Sequence, residues 1–379
     1  MRALTTSLPH INIKPLAIMD SHKIVFFVTN LTPRPNRRIQ EFVDTGFDCD
    51  VYCMSHSEDI VSPQYKIVYL NENKLSNISY PKRMSLFSRQ IGDTIKKYDK
   101  KKTLFYFFSF NTAFIVLKRR VQFVYEESDM LFDRFSSPIL RRLIIVLNRR
   151  IISKSKITVF TSEGFAHFYY KDKIPENIIF VPNKVDKRCL DLPIIKKQDT
   201  DFNHLKFGFA GSLRYETLRN FAEVLIKNFP TAQFDFFGRN SDFSEEAIID
   251  LKKTGRVFFH GTFTNPDDLP RIYGQLDFIV ATYDVSGINP RFAEPNKLYE
   301  AIFFRTPIIV SRDSFLEHKV NELGVGFSVN ALDDNDIVNQ VKGITPDVYK
   351  AFVSNLELIE RESVITSNRE LIQRVLSLK

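Results

Sequence analysis

The segment NPRFAEPNKLYEAIFFRTPIIVS, Asn289 to Ser311, holds a helix followed at once by a strand. Pro295 suits a first helical turn, and Glu294 or Asn296 can cap it. Leu298, Ala301 and Ile302 then recur at core spacing. Residues 307–310 read as a short buried strand. Lys297 and Glu300 stand three apart on one helix face near its N-terminus. An ammonium beside free N–H groups suits a diphosphate, and a carboxylate one turn later can accept two hydrogen bonds from ribose hydroxyls. On spacing alone the pair equally fits an exposed ion pair on a surface helix.

The same helix–strand alternation runs outward in both directions. Strands are expected at 205–210, 233–237, 257–260, 278–281 and 307–310, with helices beginning near Thr217, Ser244, Asp267 and Asn296. Upstream, strands are expected at 23–29, 50–54, 66–70, 103–108, 122–125, 156–161 and 177–181, and the tail from Thr345 reads as helices. This is the pattern of α/β proteins with parallel sheets covered on both faces. Between the two series, PNKVDKRCLDLPIIKKQDTDFNH is polar and aperiodic, so domains are expected at 1–186 and 187–379, with final helices that can pack back across the boundary.

Composition narrows the class. A 379-residue chain with 44% hydrophobic and 26% charged residues is long enough for two packed cores. Its 36 Phe and no Trp fit either genome composition or a preference in core filling, with no function attached. Cys49, Cys53 and Cys189 give neither a disulfide framework nor paired metal-ligand spacing, which fits a reduced, cytoplasmic compartment. The first twenty residues lack the continuous apolar core of a signal peptide, and the longest apolar runs are strand length. Residues 1–186 carry 29 Lys and Arg against 18 Asp and Glu, or +11; the remainder carries 24 against 27, or −3. The basic half suits an anionic partner. Nucleic acid is not expected, because no aromatic-basic motif accompanies the charge. The stretch PILRRLIIVLNRRIISKSK, 138–156, can lie on an anionic membrane at its inner face, or can be a core helix with a solvated basic side.

No G-x-G-x-x-G, no phosphate-loop motif and no H-E-x-x-H occurs, so dinucleotide, P-loop and zinc-protease chemistry lack their signatures. Gly211, directly after the strand 205–210 and before a helix, lets a phosphate approach the backbone, and Arg214 can add a bidentate contact. A tight turn with a surface arginine has the same sequence.

Several blocks, in order, resemble one family. PNKLYEAIFFRTPIIV resembles the P-x-K-L-x-E-A-x-x-x-x-x-P-I/V-I stretch of nucleotide-sugar-dependent glycosyltransferases of the GT-B type, especially glycosyltransferase family 4 and capsular polysaccharide enzymes. FGFAGSLR (207–214) resembles the first strand and glycine loop of the donor domain. RVFFHGTFTNPDDLPRIYGQLDFIVATYD (256–284) resembles the family's strand, glycine turn, helix and next strand. VPNKVD (181–186) resembles the interdomain link, with Lys184 where glycine is usual. More loosely, KIVFFVTN with Arg37 and Arg38, VYEESDM (124–130) and TSEGF (161–165) resemble acceptor-facing segments.

The resemblance implies two Rossmann-like domains facing an interdomain cleft, and transfer of a sugar from a nucleoside diphosphate sugar to a hydroxyl in surface polysaccharide assembly. It implies a saccharide or lipid-linked saccharide acceptor, with no metal and no further cofactor. Glu300 falls on the ribose, Lys297 and Arg214 on the diphosphate, and the turns at Gly238 and Gly261 near the base. Ser212, Arg239, Tyr283, Asn296 and Leu298 complete the donor set with Gly211. Glu126, Glu127 or Asp129 can bind or deprotonate the acceptor. Family members place two glutamates eight positions apart, whereas Phe292 stands eight before Glu300 and Glu294 is the nearest carboxylate. Retention or inversion therefore stays open, and so do a sugar-nucleotide epimerase and a catalytically silent nucleotide-binding partner protein.

Overall fold

A computed structural model describes residues 23–378 except 57–62, 73–74, 76, 194 and 196–199. The opening segment, expected to lack a signal-peptide core, lies outside the described residues. Among those described, no helix is long and apolar enough to cross a membrane.

Two sheets organise the chain. The first contains β1 (Lys23–Val28), β2 (Cys49–Cys53), β3 (Ile67–Tyr69), β4 (Thr103–Phe108), β5 (Gln122–Glu127), β6 (Ile157–Phe160) and β7 (Ile178–Phe180), in the order β3-β2-β1-β4-β5-β6-β7. The second contains β8 (Lys206–Ala210), β9 (Gln233–Phe237), β10 (Val257–Phe259), β11 (Phe278–Ala281), β12 (Ile308–Ser311) and β13 (Gly326–Val329), in the order β10-β9-β8-β11-β12-β13. The described pairings are parallel. Two parallel α/β sheets were expected, and two are found.

Such sheets need apolar residues on both faces, and the sequence supplies them in alternation. Ile279, Ala281, Ile308 and Val310 enter one core with Leu298, Ala301 and Ile302, while Phe278, Val280 and Ile309 enter a second with Phe207, Phe209, Phe234 and Phe236. In the first sheet all six residues of β4 are buried, and Phe27 stacks on Phe107 with centroids 5.3 Å apart. Phenylalanine is prominent in the second of these cores.

By compactness the chain forms two units. One runs to Glu126 and takes in Arg150–Ile157 and Arg374–Lys379; the other is Glu127–Arg149 with Thr158–Gln373. In the second unit, Val185 pairs in parallel with Ile365, and the Val185 N–H donates to the Val364 carbonyl at 3.0 Å.

Three expectations need correction. β13 was not foreseen, because GVGFSVN is short and carries two glycines where a strand signal wants branched residues. β5 runs two residues past the expected end at 125, so Glu126 and Glu127 lie inside the strand and not beyond it. Neither Glu294 nor Asn296 caps the helix Asn296–Phe303: the N-cap position is Pro295, which offers no side-chain hydrogen bond.

Candidate functional site

Glycine follows three neighbouring strands of the second sheet, directly at Gly211 after β8 and Gly238 after β9, and two residues on at Gly261 after β10. Gly238 adopts φ +140°, and a Cβ there would stand 1.8 Å from the Gly211 carbonyl oxygen, so only glycine lets the two turns approach this closely. The Gly211 N–H donates to Phe237 O at 2.8 Å, the Gly238 N–H to Gly261 O at 2.6 Å and the Leu213 N–H to Arg239 O at 3.0 Å. The turns after β8, β9 and β10 are thereby joined into one rim at the carboxyl ends of the strands.

That rim lines a cavity of about 550 Å³ formed by Gly211, Ser212, Gly238, Arg239, Asn240, Ser241, Thr262 and Phe263. The volume lies within the ~300–1,000 Å³ range of small-molecule sites. The Ser212 and Ser241 hydroxyls are 2.7 Å apart, and Asn240 is fixed by two hydrogen bonds to the Phe243 backbone. Arg239 is exposed beside the cavity. Hydroxyls, one guanidinium, one aromatic ring and a backbone bare of side chains at two glycines suit a polar anionic ligand with a flat apolar part. β8 is also where strand order reverses, since β9 and β11 flank it, and ligands of open α/β sheets bind beside such a point. Arg214 is exposed on the loop after β8, its Cζ 4.9 Å from the Tyr215 ring, which in turn packs edge-on against Tyr283 with centroids 5.0 Å apart.

Lys297 and Glu300 are brought together, yet as a buried pair: they are 4% and 2% exposed. Lys297 Nζ donates to Glu300 Oε2 at 2.7 Å, Tyr273 O–H donates to the same oxygen at 2.6 Å, and Asn296 Nδ2 donates to Oε1 at 2.6 Å. The exposed surface pair that spacing also allowed is excluded. Leu298 is a core residue. Glu294 is nearly buried and accepts from Tyr299 O–H, and burial raises its pKa.

The carboxylates of β5 separate by environment. Glu126 is fully buried, accepts from Tyr106 O–H at 2.6 Å and has Arg38 Nε 2.9 Å from its Oε2, so the buried Arg38 pairs with this glutamate. Glu127 is equally enclosed, its Oε1 accepting from Asn148 Nδ2 at 2.7 Å and Tyr169 O–H at 3.1 Å. Burial pushes its pKa up to about 8, against the two hydrogen bonds. Asp129 is exposed, and its Oδ1 accepts from Asn289 Nδ2 at 3.4 Å.

Sequence reasoning missed Asn240, Ser241, Thr262 and Phe263, which follow the glycine turns and carry no spacing signal of their own. It also missed Tyr273, although RIYGQLD lies in a block that carried the family resemblance. Among the described residues no group of three or more His, Cys, Asp or Glu is placed to hold a metal.

No family model matches the chain, and no curated protein does. Solved structures do. WaaG, a glycosyltransferase involved in lipopolysaccharide biosynthesis, superposes with TM-score 0.64 at 13% identity, covering 94% of this chain and 100% of that one. Anabaena HepE in complex with UDP-glucose gives 0.62 at 15% identity, over 94% and 100%. UDP-GlcNAc 2-epimerase from Neisseria meningitidis, bound to UDP-GlcNAc, gives 0.61 at 14% identity, over 93% and 99%. The likeness is one of fold.

Proposed function

We propose that this protein is a glycosyltransferase that moves a sugar from a nucleoside diphosphate sugar to a hydroxyl of a saccharide or lipid-linked saccharide, in bacterial surface polysaccharide assembly. The carrying observation is the cavity lined by Gly211, Gly238, Arg239 and Thr262, where backbone approach, hydroxyls and Arg239 suit a nucleotide diphosphate. The similar structures solved with UDP-glucose and UDP-GlcNAc support the choice of ligand class. The donor domain is assigned to 187–379 and the acceptor domain to 1–186, in the cytoplasm.

In the reaction, the bond from the anomeric carbon to the diphosphate breaks and a bond from that carbon to the acceptor oxygen forms. The departing diphosphate gathers negative charge, which we assign to Arg214, Arg239 and Lys297, with no metal. Glu300 takes the ribose hydroxyls, and Lys297 exchanges part of its bond to Glu300 for the diphosphate. Of Glu127, Asp129 and Glu294, only Asp129 is exposed, so the acceptor proton is assigned to Asp129. The epimerase neighbour supports a second reading, a sugar-nucleotide epimerase using the same donor site.

A thermal-shift screen with UDP, GDP, ADP and dTDP tests the donor site. One nucleotide raises the melting temperature of the wild type, and the rise is lost in Gly238→Ala, whose new methyl drives the two turns apart. No response to any of the four removes the proposal.

A further inference from the structure

The helix Pro138–Lys154 buries Ile144, Asn148, Ile151 and Ile152, and Asn148 on this face donates to Glu127 at the end of β5. Its opposite face is not the solvated polar face that such helices usually present. Ile139 is 81% exposed, Val146 62%, Leu143 52% and Leu140 37%. Ile139, Leu143 and Val146 follow the i, i+4, i+7 rule and so form one strip. Arg142 lies exposed beside it, and the helix continues outward with Arg150 and Lys154. The seventeen residues contain no Asp or Glu. The alternative of a core helix with a purely basic outer side is therefore incomplete: the outer side is both apolar and basic.

We infer that this strip seats on an anionic lipid bilayer. Ile139, Leu143 and Val146 enter the boundary between headgroups and acyl chains, and Arg142, Arg150 and Lys154 meet lipid phosphates. Charge selects this occupant. A second copy of the chain would set arginines against arginines across a low-dielectric contact, which is repulsive. A neutral apolar partner would leave the cations without counter-charge. An anionic bilayer satisfies both features of the strip, and the +11 balance of residues 1–186 acts in the same sense.

The test is sedimentation of the purified full chain with vesicles of phosphatidylcholine mixed with phosphatidylglycerol, and with phosphatidylcholine alone, at low and high salt. Binding is expected to the mixed vesicles at low salt and to weaken with salt. The double variant Arg142→Gln/Arg150→Gln lowers the partition coefficient by about fivefold per arginine. Ile139→Ser/Val146→Ser lowers it by about tenfold or more. All four positions are exposed, so both variants are expected to keep the wild-type melting temperature. Equal binding to both vesicle types, no binding to either, insensitivity to both double variants, or a dimer that Ile139→Ser/Val146→Ser dissociates would each overturn the inference. It goes beyond the proposed activity and is read without sugar transfer: vesicle binding can fail while UDP still stabilises the protein, and the reverse.

Discussion

Glu127 shows how one enclosed carboxyl can set the pH response of a fold. Its side chain is 1% exposed, both its described donors converge on Oε1, and burial lifts its pKa from 4.5 to about 8. The sign follows from linkage. Below about pH 4.5 the group is protonated in folded and unfolded chains alike, and its contribution to stability is complete. Between 4.5 and 8 the unfolded chain releases the proton while the folded chain keeps it, so stability falls as pH rises. The full effect, reached above pH 8, is on the order of 4 kcal/mol. Glu127→Gln keeps an oxygen for Asn148 and Tyr169 but cannot ionise. Urea denaturation should find the variant close to wild type at pH 5 and more stable than wild type at pH 9, by a few kcal/mol. Parallel pH profiles for the two proteins would show that Glu127 ionises freely in the fold. The same enclosure is why Asp129, and not Glu127, was assigned the acceptor proton.

At the scale of the element, the helix Asn296–Phe303 holds a buried ion pair, and that changes how its residues can be tested. Lys297 and Glu300 are both under 5% exposed and joined at 2.7 Å. Removing one charge strands the other in a site of low polarity, at ~3–5 kcal/mol, whereas removing both leaves no bare charge. Lys297→Met alone should therefore lower the unfolding free energy by about that amount, and Lys297→Met/Glu300→Gln should recover much of it. A double-mutant cycle by urea denaturation measures this coupling; additive losses would mean that the pair is solvated. Lost nucleotide binding in Lys297→Met is by itself no proof of a diphosphate contact. The helix and its inward face were legible in the sequence, because Leu298, Ala301 and Ile302 repeat at helical period. Burial of the charged pair was not, since it depends on Tyr273 from another helix reaching Glu300. Likewise Gly211, Gly238 and Gly261 were legible as strand-end turns, while their contact was not, because sequence does not show which turns lie side by side.

For the whole molecule, the sheet orders and the likeness to solved structures at 13–15% identity fix an architecture, and one architecture hosts several chemistries. Transferase and epimerase differ in what completes the reaction. A transferase needs a second hydroxyl substrate to take the anomeric carbon, so donor alone turns over only as fast as water can replace that hydroxyl. An epimerase rearranges the sugar of the bound donor and needs no second substrate. Incubating the protein with UDP-glucose or UDP-GlcNAc and following the sugar signals by NMR separates the two. Without acceptor, the donor should persist with slow release of free UDP and no epimer. Adding a saccharide acceptor should speed UDP release and yield a new glycosidic signal, and Asp129→Asn should slow that step by about 10²-fold or more while UDP still stabilises the fold. Appearance of an epimer in the absence of acceptor would move the assignment to the epimerase. Stabilisation by UDP with neither product, across a panel of donors and acceptors, would leave a nucleotide-binding partner protein.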